Sequence, residues 1–283
     1  MTTIAVTGAA GQLGRYVIAK LKEKIAPSDI VAIVRNTSKS KNLGVAVRQA
    51  DYTDPGALGA VMQGIDKLLL ISGNEIGKRI AQHRNIIDAA KKAGVKHIVY
   101  TSLLRADTSP LSVAREHPVT ESDLKHSGVD YTILRNGWYT ENYTSSIPAA
   151  LENNAFYGSA GEGKISSAAR EDYAEAAVAV LTSTGHEGKT YELAGDTAYT
   201  LADLAAEVSR QSGKKIPYVN IPEADYAAAL VQAGVPGDFA ALIAGWDADA
   251  EKGALFSEDR TLSRLIGRPT TPLDKMVQAA LRV

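Results

Sequence analysis

The fold is decided by the stretch Ile4-Ala5-Val6-Thr7-Gly8-Ala9-Ala10-Gly11-Gln12-Leu13-Gly14. A short apolar run leads into a turn punctuated by glycines, and residues with helical spacing follow. Gly8 lets the chain leave the strand with dihedrals that a Cβ disfavours, Gly11 lets the backbone approach a pyrophosphate, and Gly14 lets the helix pack on the sheet. Free N–H groups at such a helix N-terminus bind phosphates. The spacing is Gly-x-x-Gly-x-x-Gly rather than Gly-x-Gly-x-x-Gly, so a plain structural turn is the alternative.

Alternating elements follow this stretch. Apolar runs predict strands at 30–34, 46–52, 67–71, 97–102 and 131–135, with helical segments between most of them. Such alternation predicts an α/β fold with a doubly wound parallel sheet, of the Rossmann type, covered by helices on both faces. We expect a nucleotide-binding domain over 1–135, to which 166–195 returns with one more strand. Residues 136–165 and 196–283 would form a smaller, mostly helical substrate lobe.

Composition narrows the class of protein. The 283 residues are 45% hydrophobic, enough for a large core, and 31 Lys and Arg residues balance 32 Asp and Glu residues. Without a basic excess we expect no nucleic-acid partner. The chain has no cysteine, which excludes disulfides and thiol catalysis, and its five histidines lack metal-ligand spacing, so we expect no metal.

The sequence also indicates in which compartment the protein is expected. The N-terminus shows no basic segment ahead of a long apolar one, so we expect no signal peptide. The most apolar region, 224–245, carries acidic residues, a proline and glycines, which argues for helices outside a membrane. We therefore expect a cytoplasmic protein without a membrane partner, and we leave open whether it forms a homo-oligomer.

Several predicted strands end in residues that suit a nucleotide. Arg35 ends the second strand, where a guanidinium suits a 2′-phosphate and favours NADP over NAD; an exposed strand cap is the alternative. Asp51 ends the third predicted strand and either accepts from the adenine amino group or belongs to the turn before Pro55. The small polar segment Ser72-Gly73-Asn74 follows the fourth strand. We place these residues beside a bound cofactor, with a plain loop as the alternative for the last segment.

The stretch 136–143 follows the sixth predicted strand. It combines amides, aromatic rings and a glycine, a composition typical of a pocket wall. Trp138 and Tyr139 would give a flat substrate an apolar wall, and packing in the core is an equal alternative for Trp138.

Several stretches carry a resemblance to a known family: 7–14, Arg35, 94–102, 127–135 and 136–142. With them, the sequence resembles the NmrA-like, atypical short-chain dehydrogenase/reductases over essentially its full length. Within that family it is similar to bacterial NADPH-dependent quinone oxidoreductases. The resemblance implies NADP(H) as cofactor and a small-molecule quinone as substrate. Asp51 is expected at the cofactor because of its position after the third predicted strand, and the resemblance implies the others. The expected cofactor-binding residues are Thr7, Gly8, Ala10, Gly11, Gln12, Leu13, Gly14, Arg35, Asp51, Ser72, Gly73, Asn74, Asn136, Gly137, Trp138, Tyr139, Glu141, Asn142 and Arg170.

One departure from the family concerns the proton donor. Short-chain dehydrogenases usually carry a Tyr-x-x-x-Lys pair, and here that spacing occurs only at Tyr16 and Lys20, inside the first helix. His117 stands where related sequences often have a lysine, four residues before Glu121. It could orient a carbonyl or donate a proton near neutral pH, but we favour a surface histidine beside Pro118.

The missing tyrosine guides the choice of reaction. Alcohol dehydrogenation would lack its acid, whereas a quinone takes hydride readily and water can supply protons. We therefore expect an NADPH:quinone oxidoreductase, with no catalytic residue assigned beyond the candidate His117. The alternatives are a non-catalytic NADP redox sensor of the NmrA type, and a reductase or isomerase of another carbonyl compound in which His117 or Ser102 donates a proton.

Overall fold

A computed structural model describes residues 2–282 of the chain. The strands are β1 (Ile4–Thr7), β2 (Ile30–Val34), β3 (Ala46–Gln49), β4 (Lys67–Leu70), β5 (His97–Leu103), β6 (Asp130–Asn136), β7 (Phe156–Gly158), β8 (Lys189–Leu193) and β9 (Tyr218–Asn220). The helices are α1 (Gln12–Lys22), α2 (Pro55–Val61), α3 (Arg79–Lys92), α4 (His117–His126), α5 (Glu141–Thr144), α6 (Ile147–Asn153), α7 (Arg170–Thr182), α8 (Leu201–Ser212), α9 (Glu223–Gln232), α10 (Gly237–Glu251), α11 (Thr261–Ile266) and α12 (Leu273–Ala280).

Seven strands form a parallel sheet in the order β3-β2-β1-β4-β5-β6-β8. The order reverses at β1, which lies between β2 and β4, and the chain leaves β1 directly into the glycine turn. In an open sheet of this kind, ligands bind at the carboxyl ends of the strands beside the reversal. The predicted α/β doubly wound fold is confirmed.

Two apolar layers cover the sheet because successive side chains of a buried strand point to opposite faces. Ile4 and Val6 of β1 pack with residues of α1, α7 and α11 on one face, whereas Ala5 packs with residues of α2, α3 and α4 on the other. All four residues of β1 are buried. The continuous apolar runs of the sequence are therefore strands covered on both sides.

A third apolar cluster lies outside the sheet. It joins residues of α5, α6, α8, α10 and α12 with Phe156 of β7, which pairs with β9 in a separate two-stranded sheet. Leu262 of α11, in contrast, packs with the first face of the large sheet. The division into 1–135 with 166–195 and 136–165 with 196–283 stays a prediction.

Some element boundaries differ from those predicted. β3 ends at Gln49, so Asp51 lies in the following turn, where its Oδ1 accepts from Thr53 N at 2.8 Å and from Thr53 Oγ1 at 2.6 Å. The strand prediction for 46–52 was too long because local side-chain hydrogen bonds of this kind favour turns over sheet pairing. The region 224–245 forms most of α9 and α10, and among residues 2–282 no helix is long and apolar enough to span a bilayer.

Candidate cofactor and substrate groove

A groove of about 810 Å³ opens at the carboxyl ends of the strands on both sides of β1. Most residues that we expected at a cofactor meet in its walls. They are Gly8, Ala10, Gly11, Gln12, Leu13, Gly14, Arg35, Asp51, Ser72, Gly73, Asn74, Asn136, Gly137, Trp138, Tyr139, Asn142 and Arg170, together with the candidate His117.

The glycine turn forms the floor of this groove. Gly8 has a φ of +61°, and Gly11 N donates to Gly8 O at 2.8 Å, which closes the turn. A Cβ on Gly14 would lie 2.4 Å from Gly8 O, so only glycine lets α1 approach the turn this closely. No side chain caps the N-terminus of α1. Its first N–H groups are thus available to an anion.

Two expected residues do not line the groove but shape it. Thr7 is buried; its Oγ1 donates to Leu69 O at 3.3 Å and accepts from Ile71 N at 3.1 Å, which ties β1 to β4. The Glu141 carboxylate accepts from Arg170 N at 3.0 Å and so caps the N-terminus of α7. Both act through the backbone that carries the lining residues.

Arg35 and Glu75 form an ion pair across the groove. Arg35 follows β2 and Glu75 follows β4, and Arg35 Nη1 lies 2.6 Å from Glu75 Oε1. Arg35 is the main cause, with Lys78, of a lowered pKa for Glu75. The guanidinium expected at a 2′-phosphate is therefore already held by an anionic partner at the groove edge.

The loop after β4 is held by groups beneath it. Ser72 N donates to Thr101 Oγ1 at 2.9 Å, and Gly73 N donates to His83 Nε2 at 3.0 Å. Within residues 2–282, the buried atoms Ser72 Oγ and Asn136 Oδ1 have no hydrogen-bond partner. Since buried polar groups are normally paired, these two atoms in the groove walls fit a polar ligand.

The opposite wall carries a cation over an aromatic ring. The Arg170 guanidinium lies 4.6 Å from the Tyr139 ring centroid, and Arg170 Nη2 donates to Asn142 Oδ1 at 2.7 Å. The guanidinium lies in the groove that also contains the N-terminus of α1, and its Nη1 is 3.6 Å from Glu141 Oε2. Together the guanidinium and that N-terminus suit a diphosphate.

Trp138 and Trp246 form an aromatic end of the groove. Their ring centroids are 5.5 Å apart at 72°, and Trp246 Nε1 donates to Ser112 Oγ at 2.9 Å. Trp138 also packs against the third apolar cluster while it lines the groove, and its contact with a substrate stays a prediction. This end can hold a flat ring by edge and face contacts.

The preference for His117 as a surface histidine was wrong. His117 is only 4% exposed, its Nδ1 lies 2.7 Å from the Tyr100 hydroxyl, and its Nε2 lies 3.4 Å from Arg79 Nη1. Burial, followed by the charge of Arg79, lowers the pKa of His117 to about 3. This shift favours the neutral imidazole near pH 7 over an imidazolium that could donate a proton.

The other candidate proton donors are engaged or distant. Ser102 Oγ lines the groove but donates to Glu121 Oε1 at 2.6 Å, and Glu121 is buried against the Arg135 guanidinium at 2.7 Å. Tyr16 and Lys20 lie on α1 outside the groove lining, and Lys20 pairs with Glu171 on α7 at 2.8 Å. Both residues therefore lie on the first helix, as the sequence indicates, and away from the groove walls.

Glu75, Arg79 and Trp246 are among the groove residues that the sequence analysis did not predict. Glu75 directly follows the expected segment Ser72-Gly73-Asn74, so a wider window after the strand would have included it. Trp246 lies in an Ala-rich helix far along the chain, and nothing local marks it. Over residues 2–282 no group of three potential metal ligands occurs.

Comparison with known proteins places the chain in a family. Residues 8–184 match the family model described as NAD(P)H-binding. Quinone oxidoreductase 2 of Escherichia coli is 57% identical over 283 residues, which covers 99% of each chain. An NmrA-like family domain-containing oxidoreductase of Aspergillus flavus is 30% identical, covering 96% of this chain and 93% of the relative.

A solved structure agrees with the sequence match. The crystal structure of an E. coli NADPH-dependent quinone oxidoreductase complexed with NADPH is 57% identical, superposes with a TM-score of 0.95 and covers 99% of this chain and all of that one. The strand order, the glycine turn and these likenesses lead to one assignment. The chain belongs to the NAD(P)H-binding family, among its NmrA-like oxidoreductases.

Proposed function

We propose that this protein is an NADPH-dependent oxidoreductase that transfers hydride to quinones in the cytoplasm. The observation that carries the proposal is the 57% identity to quinone oxidoreductase 2 across 99% of both chains. The groove supports it, because residues expected at the cofactor from sequence line one continuous cavity. The near balance of charge supports the absence of a nucleic-acid partner.

Each part of the groove has a distinct binding role in this proposal. The N-terminus of α1 and the Gly8 to Gly14 turn would hold the diphosphate, and Arg35 would bind the 2′-phosphate. Arg170 over Tyr139 would close the opposite side. When bound, NADPH would supply the hydride.

Neither candidate proton donor at the acceptor end, His117 or Ser102, is available as an acid at neutral pH. His117 is neutral, and the Ser102 hydroxyl is donated to Glu121. A quinone suits such a site because its reduced oxygen is weakly basic and takes its proton from water. Trp138 and Trp246 would hold the flat ring for transfer.

The test is a turnover measurement with purified protein, NADPH and 1,4-naphthoquinone, in which the loss of NADPH absorbance is followed. We expect loss that increases with protein concentration and saturates with quinone. Unaccelerated loss in protein that binds NADPH would contradict the proposal and support a non-catalytic redox sensor. The same assay with NADH is the matched cofactor control.

A further inference from the structure

Arg79 is a buried cation in the groove without an anionic partner. It is 7% exposed and is the first residue of α3. Among residues 2–282, no carboxylate oxygen lies within the 4.0 Å limit of an ion pair with its guanidinium. A buried charge without such a partner is costly, so its retention calls for a reason.

The hydrogen bonds of Arg79 are all to neutral acceptors. Nε donates to Gly73 O at 2.7 Å, Nη1 donates to Val113 O at 3.0 Å, and Nη1 also faces His117 Nε2 at 3.4 Å. No partner of Nη2 occurs in the described part of the chain. Glu116 lies nearby, but its Oε2 accepts from Gly77 N at 2.8 Å.

Two helix N-termini reinforce this positive charge. Arg79 begins α3 and His117 begins α4, so the positive ends of both helix dipoles meet here. The buried Glu116 carboxylate offsets part of this potential, because it accepts from Gly77 N at 2.8 Å and from Ile80 N at 3.4 Å at the start of α3. A cation at a helix N-terminus is electrostatically unfavourable, and among residues 2–282 no carboxylate, Glu116 included, forms a direct ion pair with Arg79.

Arg79 is connected to the aromatic end of the groove. It binds the carbonyl of Val113, and the neighbouring Ser112 accepts from Trp246 Nε1. Val113, His117 and Trp246 line the same groove as Arg79. The cation therefore stands beside the surface proposed to hold the acceptor.

We infer that Arg79 is a catalytic residue that stabilises the negative oxygen formed on the acceptor; this rests on the proposed function. Hydride transfer adds two electrons and one hydrogen to the neutral quinone, which becomes the hydroquinone mono-anion while the cofactor is oxidised. The guanidinium donates a hydrogen bond to that oxyanion. Water then protonates it and hydroquinone leaves. His117, neutral and accepting at Nε2, positions the guanidinium.

The first experiment compares kcat with 1,4-naphthoquinone for wild type, Arg79→Met and Arg79→Lys. Removal of one oxyanion donor typically lowers kcat by about 100- to 1,000-fold. We expect kcat to fall roughly 100-fold in Arg79→Met and by less in Arg79→Lys. The NADPH Kd of both variants should stay nearly unchanged. Arg84→Met is the matched control, since Arg84 lies on the same helix but pairs with Asp123 at 3.0 Å. A folded, NADPH-binding Arg79→Met protein with the wild-type kcat would overturn the inference.

The second experiment separates charge stabilisation from loop support. In protein saturated with NADP⁺, we expect the ionised form of 2-hydroxy-1,4-naphthoquinone to bind wild type more tightly than neutral 1,4-naphthoquinone, and Arg79→Met to lose that preference. Wild type without the preference would overturn the inference even if Arg79→Met fails to fold. Failure of wild type to reduce any quinone would instead contradict the proposed function.

Discussion

At the scale of single residues, we expect Arg35 to decide which cofactor the groove prefers. Its guanidinium reaches Glu75 at 2.6 Å, so a 2′-phosphate must replace that carboxylate. We expect Arg35→Gln to weaken NADPH binding roughly 10- to 100-fold and NADH binding much less, because only NADPH carries the phosphate. Calorimetric titration of both cofactors measures this.

The control for Arg35 is an arginine outside the groove. Arg84→Gln removes an exposed guanidinium that also pairs with a carboxylate, and both affinities should stay at their wild-type values. Equal losses of NADPH and NADH affinity in Arg35→Gln would contradict the assignment of the 2′-phosphate.

His117 and His83 make stability depend on pH. Their pKa values fall to about 3 and about 4, mainly through burial, whereas an unfolded histidine titrates near 6.5. As pH falls below about 6.5 the unfolded chain binds these protons first, so the free energy of unfolding decreases, down to about pH 3. Denaturant unfolding at pH 7 and pH 5 should show this decrease, and His117→Gln should show less of it.

The same variant tests whether His117 is an acid. Glutamine can accept from Arg79 and donate to Tyr100 as the neutral imidazole does. We expect kcat of His117→Gln to stay within about threefold of wild type and both pH profiles to be flat between pH 6 and 8. An ionisation near pH 6.5 in wild type that disappears in His117→Gln would contradict a neutral His117.

At the scale of elements, the close contact between α1 and the glycine turn shapes the proposed phosphate site. Alanine at Gly14 would place its Cβ 2.4 Å from Gly8 O and 2.7 Å from Ala9 Cα, both backbone atoms. We expect Gly14→Ala to lower the free energy of unfolding by about 1–3 kcal/mol and to weaken NADPH binding at least tenfold. Denaturant unfolding and calorimetry measure the two effects.

Gly59 in α2 provides the matched control. Apart from its chain neighbours and the backbone of α2 itself, no atom of residues 2–282 lies within 4 Å of the Cβ position there, so Gly59→Ala should stabilise the protein by about 0.5–1 kcal/mol through helix propensity alone. If Gly14→Ala behaves like Gly59→Ala, close packing does not explain the glycine.

Helix α10 brings Trp246 to the acceptor end. We expect Trp246→Leu to raise KM for 1,4-naphthoquinone roughly two- to tenfold, as expected for loss of an aromatic pair, and to leave the NADPH Kd unchanged. Phe239→Leu is the control, because Phe239 packs on Trp246 but is 48% exposed and does not line the groove. A changed NADPH Kd with an unchanged KM would contradict the position of the quinone.

The elements predictable from sequence were those with a strong local signal. The strand at Ile30–Val34 agrees to the residue, because an uninterrupted apolar run is bounded by turn residues. The short elements at Glu141–Thr144 and Phe156–Gly158 were not predicted, since they owe their form to packing in the second lobe.

At the scale of the whole molecule, the sheet makes the position of the groove predictable from sequence. Contacts with the second lobe determine which side chains line its acceptor end. Residues at strand ends, such as Arg35 and Ser72, could be assigned because parallel strands end at one edge. Trp246 and the burial of His117 could not, because both depend on contacts between segments distant in sequence. The residues of the phosphate end could therefore be predicted from the local sequence pattern. Those of the acceptor end became evident only in the folded structure.

The groove of the folded chain is proposed to hold the phosphorylated nicotinamide cofactor. Calorimetric titration of the wild-type protein with NADPH, repeated with NADH at the same ionic strength, tests it most directly. We predict one NADPH bound per chain and NADH at least about tenfold weaker. No detectable binding of NADPH, or equal affinity for both cofactors, would contradict the account.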